Sequence, residues 1–313
     1  GRREELEVEI ARRRKALEAA RSRRHVSGLV RREAATEVLD SIRAGFDLYN
    51  GGFGSEPKFP DGALLELLFA HGHRAGGAAW RAMAERMLDG ILAGELRDPV
   101  EDGFFRYALA ADWTSPQREK LLDTNAGLLT AFALGCELHP VRTDWRGAAE
   151  GIVSWVESRL ALPNGLWGAS ECAPDGYYDL DAAERRRRGT PFVDPIIYAA
   201  PNARWVAALA DAGGRLGRAD WIARAREALG TLLDVLAAPG DLLHHARLPG
   251  GEALLPGLLD DSVATARAAL AVAQATGEEA PLAHARRLLA GAQAALWADD
   301  GGFWDHVRTV DDV

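Results

Sequence analysis

The stretch Leu121-Leu122-Asp123-Thr124-Asn125-Ala126-Gly127-Leu128-Leu129-Thr130-Ala131-Phe132-Ala133-Leu134 opens on polar groups and then turns apolar on every side. A helix that is apolar all round belongs between other elements, not at a surface. Val206-Ala207-Ala208-Leu209-Ala210 has the same character, whereas residues 218–238 carry Arg224, Arg226, Glu227 and Asp234 on one exposed stripe. Helices of the first kind follow long connections and those of the second follow short turns. That alternation is the inner and outer ring of an all-α (α/α) barrel, and the abundance of Ala and Gly in the helices permits close packing.

Working outward, apolar residues recur at helical spacing over 3–24, 31–48, 61–74, 77–95, 117–138, 143–160, 201–213, 218–238, 258–276 and 280–297. The expectation is ten helices and no convincing strand. Short turns such as Ala75-Gly76-Gly77 and Thr276-Gly277-Glu278-Glu279 alternate with long loops at 49–60, 96–116, 161–200, 239–257 and from 298 onward. Short and long connections therefore fall on opposite ends of the helices. Each long loop is built on glycine with aromatic or leucine residues: Gly51-Gly52-Phe53-Gly54, Asp102-Gly103-Phe104-Phe105, Asn164-Gly165-Leu166-Trp167, Gly240-Asp241-Leu242-Leu243 and Gly301-Gly302-Phe303-Trp304. Such sequences form tight turns or short hairpins, because glycine accepts positive φ while the ring anchors the loop on the helix ends.

The chain has 313 residues, is 48% hydrophobic and carries a net charge of −9. No run of about 18 uncharged apolar residues is present, so no membrane span is expected. Residues 1–34 hold eleven Arg and Lys against six Glu, which leaves the rest strongly acidic and argues against a nucleic-acid surface on the main body. A basic helix and linker over 1–30 and a toroid domain over 31–313 are the expected organisation. Cys136 and Cys172 make neither a disulfide framework nor a metal knuckle, so a reducing, cytoplasmic setting with no metal and no cofactor is expected. Arginine outnumbers lysine 34 to 3, leaving Lys15, Lys58 and Lys120. A compact, deprotonatable ammonium is the property that arginine cannot replace at such positions.

If the inner helices run in one direction, polar groups at their starts converge on the long-loop face. These are Glu56, Lys58 and Asp61; Glu119, Lys120, Asp123 and Asn125; Asp194 and Asn202; and Asp260, Asp261 and Ser262. The loops add Phe59, Arg106, Tyr107, Trp113, Tyr177, Tyr178, His244 and His245. Each has a bland reading as well. Asp61, Asn202, Asp260, Asp261 and Ser262 are helix-capping types, Glu119 and Lys120 read as a solvated pair, and the aromatics read as a plug. As a pocket, carboxylates, amides and aromatics suit a hydroxyl-rich small molecule, with carboxylates for acid and base work. The adjacent His244 and His245 are the natural proton-transfer groups at neutral pH. No nucleophile elbow, phosphate loop, dinucleotide fingerprint or zinc spacing is present.

Gly51-Gly52-Phe53-Gly54-Ser55-Glu56-Pro57-Lys58-Phe59-Pro60 resembles the signature GGFGxAPKFP of the thioredoxin-domain family related to spermatogenesis-associated protein. Gly103-Phe104-Phe105-Arg106-Tyr107 with Asp112-Trp113 is similar to its GGFxRYSxDxxW, and 116–126 is similar to PHFEKMLYDNA. The segments 194–202 and Leu259-Asp260-Asp261 continue the resemblance in order. It implies an (α/α)6 toroid of the six-hairpin glycosidase-like kind, akin to sugar 2-epimerases and normally preceded by a thioredoxin-like domain. Helix 3–24 resembles the segment joining the two. Ten helices in place of twelve would leave the ring open, or closed by the N-terminal helix or a partner. Gln117, Arg118, Pro201 and Ser262 depart from the pattern, standing for His, Phe, Trp and Tyr.

Two functions remain open on these residues. One is a noncatalytic binding or assembly subunit, docking through the open ring edge or the basic N-terminal helix. The alternative is a carbohydrate-active enzyme, an epimerase, isomerase or glycosidase-like protein, with Asp123, Asp261 or His244 as acid and base and Lys58 orienting the ligand. A small hydroxylated ligand is the expected partner of the pocket in either case.

Overall fold

A computed structural model describes residues 32–74, 76–299 and 301–307 together with Arg12, Arg13 and Lys15. The chain divides into two compact units, residues 1–45 and 46–313. In the first, helix α1 spans Arg32–Ala44. Most of the helix expected over 3–24 lies outside the described residues.

The second unit is built of helical hairpins. Helices α2 (Gly62–Gly72), α4 (Leu122–Leu138), α7 (Ala199–Leu216) and α9 (Leu259–Thr276) are followed through short turns by α3 (Ala78–Ala93), α5 (Thr143–Trp155), α8 (Ala219–Val235) and α10 (Glu279–Leu296). The first set is inner. Along α4 the buried residues include Leu128, Leu129, Thr130, Ala131, Phe132 and Ala133 in unbroken succession, so no face of that segment meets water. In α8, by contrast, Trp221, Ala225, Ala228, Leu229 and Leu232 are buried at helical spacing and the intervening positions are not. Helix α7 packs between α4 and α9. Glycine sets the closest approach: a Cβ added to Gly62 would lie 2.5 Å from the Gly127 Cα, so α2 and α4 touch backbone to backbone.

The long loops do contain strands, contrary to the expectation of none. Strands β1 (Tyr107–Ala108) and β2 (Pro116–Gln117) pair, and β3 (Glu119–Leu121), β4 (Ser170–Cys172) and β5 (Phe192–Val193) form a second sheet. In the third, β8 (Leu242–Arg247) pairs with β6 (Ile197–Tyr198), β7 (Ala237–Ala238) and β9 (Ala253–Pro256). Most have only two or three residues, too short for an alternating pattern to register. Gln117 and residues 119–121 accordingly belong to strands and not to the start of a helix, because they pair across the loops, with Lys120 opposite Glu171. A short helix α6 (Ala182–Arg188), held by a capping box between Asp181 and Glu184, also lies inside what reads as one long loop. Among the described residues no helix is long and apolar enough to cross a membrane.

Candidate functional site

Most of the polar residues singled out by the sequence hold the loops onto the inner helices. Asn125, in the first turn of α4, donates to the Phe104 carbonyl at 3.0 Å and the Leu121 carbonyl at 2.9 Å and accepts from the Phe104 N–H at 2.8 Å. Asn202 repeats this three residues into α7, clasping the Trp167 N–H and carbonyl at 3.0 Å each and the Tyr198 carbonyl at 3.0 Å. Both are fully buried, so each amide satisfies backbone groups that water does not reach.

The two lysines of the loops do the same work with charge. Lys58 is buried, its Nζ donating to Asp47 at 2.7 Å and the Gly51 carbonyl at 2.9 Å, 5.2 Å from the centre of the Trp113 ring. The ammonium holds the Asp47 carboxyl well below the usual carboxylate range. Lys58 is thus committed to its own loop and does not line the central cavity. Trp113 is likewise buried, donating from Nε1 to the Asn50 carbonyl at 3.0 Å.

Lys120 sits in an ionic cluster among rings. Its Nζ donates to Asp98 at 2.7 Å and to the Asp102 carbonyl at 2.8 Å, and it lies 3.8 Å from Glu171. Arg185 from α6 reaches the same Asp98 at 2.6 Å, and the Tyr178 hydroxyl donates to Glu171 at 2.9 Å. Burial lowers the Lys120 pKa against the opposing pull of Asp98 and Glu171. Tyr177 and Tyr178 stack edge to face and are buried here. The pair Glu119 and Lys120 is therefore split: Glu119 turns outward to Arg106 at 3.1 Å while Lys120 turns in.

The histidines stand apart. His245 Nδ1 contacts Asp261 at 3.0 Å, and its ring lies 5.4 Å from that of Tyr198. Asp261 is buried and also accepts from the Ala200 N–H of α7 at 3.1 Å, so it joins α9 to its neighbour and does not cap its own helix. Burial raises the Asp261 carboxyl against the attraction of His245. His244 has its Nδ1 buried without a hydrogen-bond partner among the described residues. Neither histidine nor Asp261 lines the central cavity.

That cavity, of about 500 Å3, opens among the four inner helices. Its walls are small, with Ala126, Gly127, Ala207, Ala208 and Ala264, and its polar groups are charged. Of the residues expected from sequence it gathers Asp61, Asp123, Arg106 and Phe59, the last packed on Tyr107 with ring centres 4.8 Å apart. Asp260 joins through Arg204, whose Nη2 makes two bonds to it at 2.6 and 2.8 Å while Nη1 reaches Asp123 at 3.2 Å. Arg267 of α9 pairs with Glu66 of α2, linking the first and last inner helices of this unit. Asp61 caps α2 by accepting from the Leu64 N–H at 3.0 Å.

The sequence reading missed Glu66, Arg204, Asp211 and Arg267. Their signal was a lone charge inside an apolar inner helix, as in Leu64-Leu65-Glu66-Leu67-Leu68 and Leu209-Ala210-Asp211-Ala212. A charge there is directed towards a hollow or an open edge, because the packed sides of the helix would strip it of water. Among the described residues no group of three His, Cys, Asp or Glu is placed to hold a metal.

The fold is that of the six-hairpin glycosidase-like toroids. The structure superposes on an α-mannanase of family GH76 from Bacteroides thetaiotaomicron with a TM-score of 0.68 at 12% identity, over 88% of this chain and 72% of that one. It superposes on a D-mannose isomerase with a TM-score of 0.67 at 11% identity, over 90% and 76% respectively. In sequence, the chain is 32% identical over 159 residues to human spermatogenesis-associated protein 20, covering 50% of this chain and 20% of that protein. The rat protein of that name is 32% identical over 144 residues, 44% of this chain and 18% of its own length. The resemblance read from the motifs is thereby borne out, and the chain spans about a fifth of the relatives it matches. No protein-family profile matches the chain.

Proposed function

We propose that residues 46–307 form a noncatalytic ligand-binding toroid whose central cavity holds a small hydroxylated molecule of the monosaccharide class. The observation that carries this reading is the pairing of the carboxylates around the cavity. Asp123 and Asp260 share Arg204, and Glu66 is held by Arg267. Held by arginines, these carboxylates are fixed in place as acceptors for ligand hydroxyls. The histidines that would carry proton transfer lie outside the cavity. Solved relatives of the same fold named as a mannanase and a mannose isomerase support a sugar as the ligand class.

Calorimetric titration with a panel of neutral and acidic monosaccharides tests this, with NMR of the sugar run in parallel. Saturable binding with an unchanged sugar spectrum is the expected result; conversion of any sugar would overturn the noncatalytic reading. Arg204→Ala releases both Asp123 and Asp260 and should weaken binding about tenfold or more, the cost of losing a charge-assisted contact. A catalytic alternative has one observation in its favour, the presence of both Asp123 and Asp211 among the residues that line the cavity. Turnover by the wild type that Asp123→Asn abolishes would establish that alternative.

A further inference from the structure

Four carboxylates line the cavity, and three are already engaged. Asp61 caps α2, Asp123 is bonded by Arg204, and Glu66 is paired with Arg267. Asp211 differs: among the described residues it has neither a hydrogen bond nor an ion pair, although it is half-buried and lines the same cavity. The nearest cations are spoken for, Arg267 by Glu66 and Arg215 by Glu137. Its cavity neighbours on α7 are Ala207 and Ala208, which offer no donor.

Asp211 also sits at a defined distance from the arginine above it. It follows Arg204 by seven residues on α7, which at 1.5 Å per residue places it about 10 Å further along the helix. A half-buried carboxylate with no protein donor is free to take one from a molecule that fills the cavity. Burial accordingly raises the Asp211 pKa, against the weaker pull of Arg215 and Arg267 and with Glu66 adding to the rise.

We propose that Asp211 is an anchor of the cavity, accepting hydrogen bonds from hydroxyls at one end of a neutral sugar whose other oxygens meet Arg204 and Arg106. This rests on the sugar-binding reading above and adds its polarity: a neutral aldose is preferred over its uronic acid, because a ligand carboxylate at the Asp211 end would face Asp211 and Glu66 together. The two groups form one acceptor end, and Arg204 and Arg106 form the donor end.

Titration of the wild type, Asp211→Ala and Asp211→Asn with glucose, mannose and glucuronate, together with melting temperatures of the free proteins, decides the matter. Expected are tighter binding of a neutral sugar than of glucuronate by the wild type, and at least a tenfold loss for Asp211→Ala. Asp211→Asn should lose the discrimination against glucuronate, and both variants should melt no lower than the wild type, since an unpaired carboxyl is removed. Neutral-sugar binding that Asp211→Ala leaves intact overturns the anchor and leaves the sugar-binding reading standing. Preference of the wild type for glucuronate also overturns the anchor. Absence of binding to every sugar overturns the reading itself and the anchor with it.

Discussion

Asn125 and Asn202 stand three residues into successive inner helices and make the same three contacts to the loops before them. Asparagine alone among short side chains supplies both an acceptor and two donors in one plane, which is what a buried N–H and two carbonyls require. Asn125→Ala would strand the Phe104 backbone and the Leu121 carbonyl, and should cost about 2–4 kcal/mol in urea unfolding. Asn125→Asp, which keeps the acceptor and loses the donors, should be comparably harmful. These residues were legible as important and misplaced in role. Polar groups before an apolar run read equally as pocket or as clasp, since sequence spacing gives the helix start but not the direction of the side chain.

At the scale of elements, the approach of α2 to α4 depends on two glycines facing each other. Gly62→Ala would place its Cβ 2.5 Å from Gly127 Cα and 2.9 Å from its carbonyl oxygen, backbone atoms that move only if a helix moves. The expected outcome is a lower melting temperature together with weaker sugar binding, because Asp61 and Phe59 at the cavity rim shift with α2. A fall in stability with unchanged affinity would show that the rim tolerates the displacement. The helices themselves were plain in the sequence because each carries long periodic apolar runs. The strands were not, since β3 and β4 exist only by pairing residues about fifty positions apart, and their apolar pattern is too short to read.

Across the whole second unit, the Lys120 cluster ties three loop segments into one piece. Lys120 and Arg185 meet on Asp98, while Arg159 and Arg185 reach Glu101 and Tyr178 reaches Glu171. Lys120→Met would leave Asp98 and Glu171 short of a partner in a buried site and should destabilise by about 3–5 kcal/mol, measured by denaturant titration. The cluster also sets an acid limit. Burial would raise the Asp98 carboxyl, but bonds from Arg185 and Lys120 outweigh it and hold the group below its ordinary value. Its stabilisation is then complete above the ordinary carboxylate range and lost as pH falls through the lowered value. Stability should drop more steeply below about pH 4 in the wild type than in Asp98→Asn, as followed by circular dichroism.

By itself the sequence determined the ring of helical hairpins, the single face that carries the long loops, and the likeness to the spermatogenesis-associated family, because periodicity and motif order are local properties of the chain. Only the tertiary structure decided which polar residues face the cavity. Lys58, Lys120, Asn125, Asn202 and Asp261 are turned into loop packing, while Glu66, Arg204, Asp211 and Arg267 emerge from apolar helices to line the hollow. The reason is geometric: the side of an inner helix that meets open space is fixed by how its neighbours pack around it, and that arrangement belongs to the assembled ring.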